Sequence, residues 1–204
     1  MSIKIALAGN PNCGKTTLFN ELTGSSQYVG NWPGVTVEKK DGLLKGHKDV
    51  IIQDLPGIYS LSPYTLEEKV ARNYLVNDRP DVILNIIDGT NLERNLYLTT
   101  QLAELHIPML LVFNIADEAE KKGLRFDLPK LERYFGAGIV QTVGSRGNGI
   151  VRLREALREA LGKLDSHGSP QLKYGPDVDD AISAIAQKID ALSLPGFHHI
   201  HTGR

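Results

Sequence analysis

Short runs of apolar and β-branched residues recur along the chain, separated by segments whose apolar residues lie three or four positions apart. The first pattern predicts strands covered on both faces, and the second predicts amphipathic helices. Their alternation predicts βαβ units and an α/β fold with a mostly parallel, doubly wound sheet. The predicted strands are Ile3–Ala8, Val50–Gln53, Val82–Ile87, Met109–Phe113 and Ile139–Thr142. The predicted helices are Lys15–Thr23, Leu66–Asn77, Leu92–His106, Leu128–Phe135 and Ile150–Leu161.

Two segments depart from this alternation. Val35–Lys45 alternates apolar with charged side chains, so we expect it to form one antiparallel edge strand. After Leu161 a polar stretch rich in Gly, Ser and Pro predicts a linker, and Val178–Leu192 then carries one apolar stripe of a helix. We therefore expect a domain over residues 1–165 and, over 166–204, a linker and the beginning of a truncated helical domain.

Composition narrows the class of protein. Of 204 residues, 41% are hydrophobic and 23% are charged, as in ordinary soluble globular proteins. The formal net charge of −1 argues against nucleic acid as a partner. The one cysteine, Cys13, suits a reducing compartment and predicts a cytosolic location. Since no run of about 18 apolar residues occurs, we expect any membrane role to come from sequence outside this chain.

The segment between the first predicted strand and helix has the Walker A pattern. In such a loop, backbone N–H groups and the N-terminus of the helix bind phosphate oxygens. Lys15 is expected to contact the β- and γ-phosphates, and Thr16 to coordinate magnesium. The residues expected to contact the nucleotide here are Gly9, Asn10, Pro11, Asn12, Cys13, Gly14, Lys15, Thr16 and Thr17.

A second motif follows the strand Val50–Gln53. Asp54 stands at the carboxyl end of this strand, where an acid can hold magnesium, and Gly57 can meet the γ-phosphate. Taken alone, such a motif is more often a structural turn, but a Walker A motif reverses this expectation. The residues expected to contact the nucleotide are Asp54, Leu55, Pro56 and Gly57.

The third and fourth motifs indicate which base is bound. Asn114 and Asp117 close the strand Met109–Phe113, and the carboxylate of Asp117 can accept both adjacent donors of guanine, a pair that adenine lacks. Ile115 stands where this motif usually has lysine, so stacking of a lysine stem on the base is lost. After the next strand, a backbone N–H among Val143, Gly144 and Ser145 is expected to donate to the guanine carbonyl oxygen.

Two long segments resemble one known family. Residues 9–20, with the sequence GNPNCGKTTLFN, and residues 29–40, with the sequence VGNWPGVTVEKK, are similar to the N-terminal GTPase domain of the bacterial ferrous iron transporter FeoB. The likeness extends through residues 54–61 and 94–102 and covers roughly residues 3–161. It implies that Thr36, beside Gly34 and Val35, is a switch threonine that joins magnesium and the γ-phosphate, and that Asn12 helps to coordinate potassium.

Two positions depart from the expected patterns. Val143 and Gly144 replace the Ser-Ala pair that is usual in the family's guanine loop, and Ile58 stands where other GTPases carry a water-orienting glutamine. Since no side chain is placed to orient water, we expect slow intrinsic hydrolysis. Asn12 with potassium is expected to supply positive charge between the phosphates, where an arginine finger acts elsewhere. The expected catalytic residues are Asn12, Lys15, Thr36 and Gly57.

We therefore expect a P-loop GTPase that uses magnesium and potassium, with switch loops near Gln27–Lys39 and Asp54–Glu68. The resemblance implies that it is the cytoplasmic domain of an inner-membrane protein, attached to a membrane permease, with small accessory Feo proteins and an oligomer as further partners. One alternative is a stand-alone GTPase in ribosome or RNA assembly, and another is an ATP-using P-loop protein. Trp32 either covers the nucleotide or anchors its loop by burial. Cys13 and the histidines His198, His199 and His201 are not expected to bind iron.

Overall fold

The computed structural model describes residues 2–24 and 27–163. The predicted helix Val178–Leu192 and the C-terminal histidines lie outside the described residues. Within this part of the chain, no helix is both long and apolar enough to cross a membrane.

A seven-stranded sheet forms the centre of the domain, in the order β2-β3-β4-β1-β5-β6-β7. Strands β4, β1, β5, β6 and β7 pair in parallel, whereas β3 is antiparallel to both β2 and β4. The strands are Ile3–Gly9 (β1), Gln27–Asn31 (β2), Glu38–Leu43 (β3), Val50–Asp54 (β4), Val82–Asp88 (β5), Met109–Asn114 (β6) and Gly138–Gln141 (β7). The expected α/β class and the mostly parallel sheet are confirmed.

The antiparallel edge is a hairpin rather than one strand. β3 lies within the predicted strand Val35–Lys45, but β2 is an additional strand that pairs outside it, with Gln27 opposite Gly42 and Asn31 opposite Glu38. β2 lies within the segment Gln27–Lys39 that the sequence predicts as a switch loop. Because most of its side chains are exposed, β2 carries no alternating apolar pattern by which it could be recognised.

Six helices lie on the two faces of the sheet within the described residues. They are Lys15–Thr23 (α1), Leu66–Asn73 (α2), Leu92–Ala103 (α3), Ala116–Lys121 (α4), Leu128–Phe135 (α5) and Ile150–Lys163 (α6). The predicted helix Leu66–Asn77 is divided, because a π-helical turn, Tyr74–Asp78, follows α2. Thr65 and Glu68 form a reciprocal capping box that fixes the start of α2.

Two hydrophobic cores form because successive strand residues point to opposite faces. On β1, Ile5 and Leu7 pack with residues of α1 and α6, whereas Ala6 and Ala8 pack on the face that carries α2, α3 and α5. Both faces of the sheet are therefore covered, which explains the nearly continuous apolar strands. Polar residues are left for the loops at the strand ends.

The carboxyl ends of the parallel strands meet at one edge of the sheet. Leu7 is paired with Asp54, Gly9 with Ile86, and Asp88 with Asn114. In open α/β sheets, ligands bind at this edge. The fold therefore brings together the loops in which the sequence motifs lie.

Candidate nucleotide-binding site

The loop between β1 and α1 has a backbone that only certain residues adopt. Gly14 has φ +87°, and a Cβ there would collide with the side-chain amide of Asn114. A Cβ at Gly9 would lie 2.6 Å from the carbonyl oxygen of Ile86. Asn12 is also left-handed, with φ +65°, a conformation that asparagine tolerates. The two glycines therefore allow the loop to lie tightly against β5 and β6.

This loop lines a pocket of about 470 Å³ at the N-terminus of α1. The first intrahelical bond here runs from the Leu18 N–H to the Gly14 carbonyl, so the preceding N–H groups of the first turn have no intrahelical acceptor. Such groups, together with the helix dipole, favour anions. The lining residues are Asn10, Pro11, Asn12, Gly14, Lys15, Thr16, Thr17 and Gly57.

Lys15 and Asp54 form a nearly buried ion pair beside this pocket. The Lys15 Nζ donates to Asp54 Oδ1 at 2.7 Å, and the two side chains are 11% and 8% exposed. Burial raises the pKa of the Asp54 carboxyl group, while the Lys15 ammonium acts in the opposite direction. The carboxylate of Asp54 and the hydroxyl of Thr16 are hard oxygen donors, which suits magnesium.

Gly57 lies against the P-loop. A Cβ at this position would be 3.1 Å from Pro11 Cα, and the next residue, Ile58, donates its N–H to the Gly9 carbonyl at 3.2 Å. Leu55 is buried in the core, and neither Leu55 nor Pro56 lines the pocket. Of the four residues predicted in this motif, Gly57 therefore lines the phosphate pocket, and Asp54 lies beside the pocket, where it is paired with Lys15.

A second pocket, of about 310 Å³, adjoins the first and shares Gly14 and Thr17 with it. Asp117, in the first turn of α4, lies in this pocket, and its Oδ2 is 3.4 Å from Nη1 of Arg146. The other lining residues are Asn114, Ile115, Glu118, Lys121, Val143, Gly144, Ser145 and Arg146. The predicted base-reading and phosphate-binding residues thus lie in two continuous compartments.

Asn114 links three segments of the site with its buried amide. Its Nδ2 donates to the carbonyl oxygen of Cys13 at 3.0 Å. Its Oδ1 accepts from the Thr142 hydroxyl at 3.1 Å and from the Gly144 N–H at 2.9 Å. The side chain predicted to read guanine therefore holds the P-loop and the 143–145 loop together.

The 143–145 loop offers one free N–H. Val143 donates to Asn148, Gly144 donates to Asn114, and Arg146 donates back to Val143. Within the described residues, the Ser145 N–H has no acceptor. Of the three residues predicted here, Ser145 is therefore the one whose N–H is available to a base.

The predicted switch threonine lies apart from both pockets. Thr36 is exposed in the loop between β2 and β3, and Gly34, Val35 and Thr36 line neither pocket. Trp32, in contrast, is buried and makes an edge-on contact with Tyr74 at 5.3 Å between ring centroids. Of the two uses considered for Trp32, the structure shows burial as an anchor.

Two features of the site were not found from sequence. Arg146 was passed over because a single basic residue in a Gly-rich loop carries no pattern of its own. Ile115 has φ +59°, a strained conformation for a β-branched residue that no sequence pattern reveals.

Cys13 is 1% exposed, and burial raises the pKa of its thiol to about 11. No group of three or more metal-ligating His, Cys, Asp or Glu occurs within residues 2–24 and 27–163.

Comparisons with known proteins identify relatives of the whole described domain. The family model described as "Ferrous iron transport protein B" matches residues 3–157. A Porphyromonas gingivalis protein named as a fusion of Fe(2+) transport protein A and Fe(2+) transporter FeoB is 47% identical over 197 residues, which are 95% of this chain and 23% of that protein. The Fe(2+) transporter FeoB of Escherichia coli is 45% identical over 177 residues, 84% of this chain and 22% of its own length.

Solved structures show the same architecture. A mutant S. thermophilus NFeoB bound to mGDP superposes with a TM-score of 0.83 at 45% identity, over 96% of this chain and 75% of that one. The cytosolic domain of the T. maritima FeoB iron transporter in a GMPPNP form has a TM-score of 0.80 at 37% identity, over 94% of this chain and 76% of that one. The chain spans less than a quarter of the length of the curated relatives named above.

Proposed function

The chain belongs to the ferrous iron transport protein B family, and we propose that its described domain binds GTP and hydrolyses it slowly, as the switch of a ferrous iron transporter. One observation carries this proposal. The pocket that contains Lys15 and the pocket that contains Asp117 share Gly14 and Thr17. A nucleotide that fills both pockets has its phosphates at the start of α1 and its base beside α4.

The base pocket favours guanine. The carboxylate of Asp117 accepts both N1–H and the exocyclic amine of guanine, and adenine has no such pair of donors. The unpaired N–H of Ser145 supplies a donor for the guanine carbonyl oxygen, while Asn114 holds this loop against the P-loop. An ATP-using protein is therefore not favoured. Nor is a GTPase of RNA assembly, because the chain has no net basic charge.

At the other end, phosphate binding requires Lys15 to change its partner. Its ammonium leaves Asp54 and contacts the β- and γ-phosphates, while N–H groups at the start of α1 donate to the same anions. Asp54 and Thr16 then hold magnesium, which neutralises phosphate charge. Thr36, together with Gly34 and Val35, moves inward to the γ-phosphate, and Gly57 meets the same group on the opposite side.

The hydrolysis that we propose is slow and potassium-stimulated. Ile58, which follows Gly57, is apolar and 3% exposed, so it does not orient an attacking water. Asn12 is exposed, lines the phosphate pocket and offers a neutral oxygen, which suits potassium. Phosphate release is expected to be faster in potassium than in sodium at matched ionic strength, and Asn12→Ala is expected to remove the difference. Equal rates in the two salts with the unaltered protein would contradict the role of potassium.

The whole-protein role is proposed from the relatives. Because they are named Fe(2+) transporters and this chain aligns with less than a quarter of their length, we place this domain on the cytoplasmic side of an inner-membrane permease. The name of the P. gingivalis relative joins Fe(2+) transport protein A to FeoB, which supports a small accessory Feo protein as a partner. Oligomerisation, in this proposal, occurs through the full-length protein.

Titration of the Asp117→Asn variant tests the central claim. The amide cannot accept both guanine donors, so loss of two charge-assisted bonds is expected to weaken GTP binding by about 100-fold or more. Xanthosine triphosphate, which presents an acceptor in place of the amine, is expected to bind better. Glu120→Gln, one turn along α4, is the control that makes the same chemical change outside the base pocket. Unchanged GTP affinity in Asp117→Asn would disprove the assignment.

A further inference from the structure

The first turn of α3 contacts both segments that border the phosphate pocket. The carbonyl oxygen of Arg94 accepts from Asn10 Nδ2, in the P-loop, at 3.4 Å. The guanidinium carbon of Arg94 lies 4.0 Å from the centroid of the Tyr59 ring. Tyr59 follows Gly57 by two residues. Through its backbone and its side chain, Arg94 therefore joins the P-loop to the segment after Gly57.

Arg94 stands on a rigid support. The buried side chain of Asn95 accepts from the Asp88 N–H at 3.2 Å and donates to the Asn91 carbonyl at 2.7 Å. The Asn91 N–H in turn donates to the Asp88 carbonyl at 3.1 Å. These bonds fix the start of α3 to the end of β5. The backbone of Arg94 is thus held by the sheet rather than by a loose loop.

The segment from Gly57 to Leu61 is held by contacts with three other parts of the domain, apart from a bond of Ser60 to Glu68 at the start of α2. Ile58 is bonded to the Gly9 carbonyl, and the Leu61 N–H donates to Gln101 Oε1 at 2.6 Å. The Arg94 contact holds Tyr59 between these two bonds. Tyr59 is otherwise 39% exposed, and no hydrogen bond of its side chain occurs within the described residues. Without Arg94, the part of the segment beyond Ile58 is attached at Leu61 and by a long bond, 3.5 Å, from the Ser60 hydroxyl to Glu68, and Tyr59 itself has no attachment of its side chain among these bonds.

We propose that Arg94 is a positioning residue for GTP: by stacking on Tyr59 it keeps Gly57 at the phosphate pocket, where Gly57 meets the γ-phosphate. This inference rests on the proposed function. Arg94 does not line the pocket itself, so it acts through Tyr59 and Gly57. Because GDP has no γ-phosphate, the contact is expected to favour GTP over GDP rather than to strengthen both.

The contact between Arg94 and Tyr59 is exposed to solvent, so its expected effect on nucleotide binding is small. An arginine over an aromatic ring at an exposed site contributes enough to change an equilibrium by about two- to fivefold. Arg94→Ala is therefore expected to lower the ratio of affinities for a non-hydrolysable GTP analogue and GDP by about this factor. The rate of phosphate release at saturating GTP is expected to fall by a similar factor, while GDP affinity and the melting temperature stay close to the unaltered values.

A double-mutant cycle tests the pathway through Tyr59. Tyr59→Ala is expected to reproduce the Arg94→Ala effect, Tyr59→Phe to retain the normal ratio because it keeps the ring, and the double alanine variant to be no worse than either one. Arg133→Ala, which removes an exposed arginine from α5, controls for net charge.

Three outcomes would contradict the role of Arg94 and leave the proposed function unaffected. These are an unchanged analogue-to-GDP ratio in Arg94→Ala, an equal loss of affinity for the two nucleotides, and additive effects of the Arg94 and Tyr59 changes. Failure of the unaltered protein to bind either guanine nucleotide would instead refute the proposed function. The measurements are nucleotide titrations and single-turnover phosphate release.

Discussion

Replacement of Asn114 by alanine is expected to destabilise the domain measurably, even without nucleotide. The change removes three hydrogen bonds and leaves the Thr142 hydroxyl, the Gly144 N–H and the Cys13 carbonyl without their partner. Asn114 is 3% exposed, so water does not readily replace the lost bonds. At about 1 kcal/mol for each bond, the free energy of unfolding falls by about 3 kcal/mol. For a domain of this size, the melting temperature then falls by roughly 6–12 °C.

Two further variants make this test specific. Thr142→Val removes one of the three bonds with little change in volume, so its melting temperature is expected to fall by about 2–4 °C. Asn73→Ala, on the exposed side of α2, makes the same substitution where nothing is lost. Thermal unfolding followed by circular dichroism measures all three variants. An Asn114→Ala melting temperature within about 2 °C of the unaltered value would show that Asn114 does not join these segments.

Three other predictions concern single positions. At pH 8, Cys13 is expected to be alkylated at least about 100-fold more slowly in the native chain than in the unfolded chain, because a thiol pKa of about 11 leaves little thiolate. Mass spectrometry of the labelled protein measures both rates, and comparable rates would contradict the prediction. A non-hydrolysable GTP analogue is expected to change Trp32 emission relative to GDP, and Thr36→Ala is expected to abolish the change, because the bond from the Trp32 N–H to the Val37 carbonyl spans Thr36. Fluorescence titration measures this, and a full change in the variant would exclude the coupling. Ile115→Asn is expected to raise the melting temperature by a few degrees through relief of backbone strain, and a fall would show that the side chain contributes more than the strain costs.

The location of the candidate site in the fold was largely predictable because its residues are concentrated in contiguous motifs. A parallel strand followed by a Gly-rich loop and a helix has few arrangements, and Lys15 and Thr16 both line the pocket at the start of α1. Asp117 follows a buried strand and therefore had to lie at the same edge of the sheet. Local pattern and chain topology were sufficient for these residues.

Contacts between distant segments were not predictable. The bonds of Asn114 to Cys13 and Gly144 span 101 and 30 residues, and no single sequence shows which atoms meet. The strand β2 was missed because exposed edge strands lack the alternation that reveals half-buried ones. The π-helical turn at Tyr74 was missed because its apolar spacing continues that of α2. Such features depend on tertiary packing rather than local propensity.

The two ion pairs of the site differ in burial, and so in the cost of separating their charges. Arg146 is 61% exposed and lies 3.4 Å from Asp117, so solvent weakens their attraction, and a base displaces the guanidinium at a cost of at most about 1 kcal/mol. Lys15 and Asp54, in contrast, are nearly buried at 2.7 Å, and separating them requires new partners for both charges. In the proposed function, phosphates would supply a partner for Lys15, and magnesium would supply one for Asp54. Nucleotide without magnesium is therefore expected to bind weakly, because it leaves Asp54 buried beside the anionic phosphates, whereas base selectivity at Asp117 needs no metal.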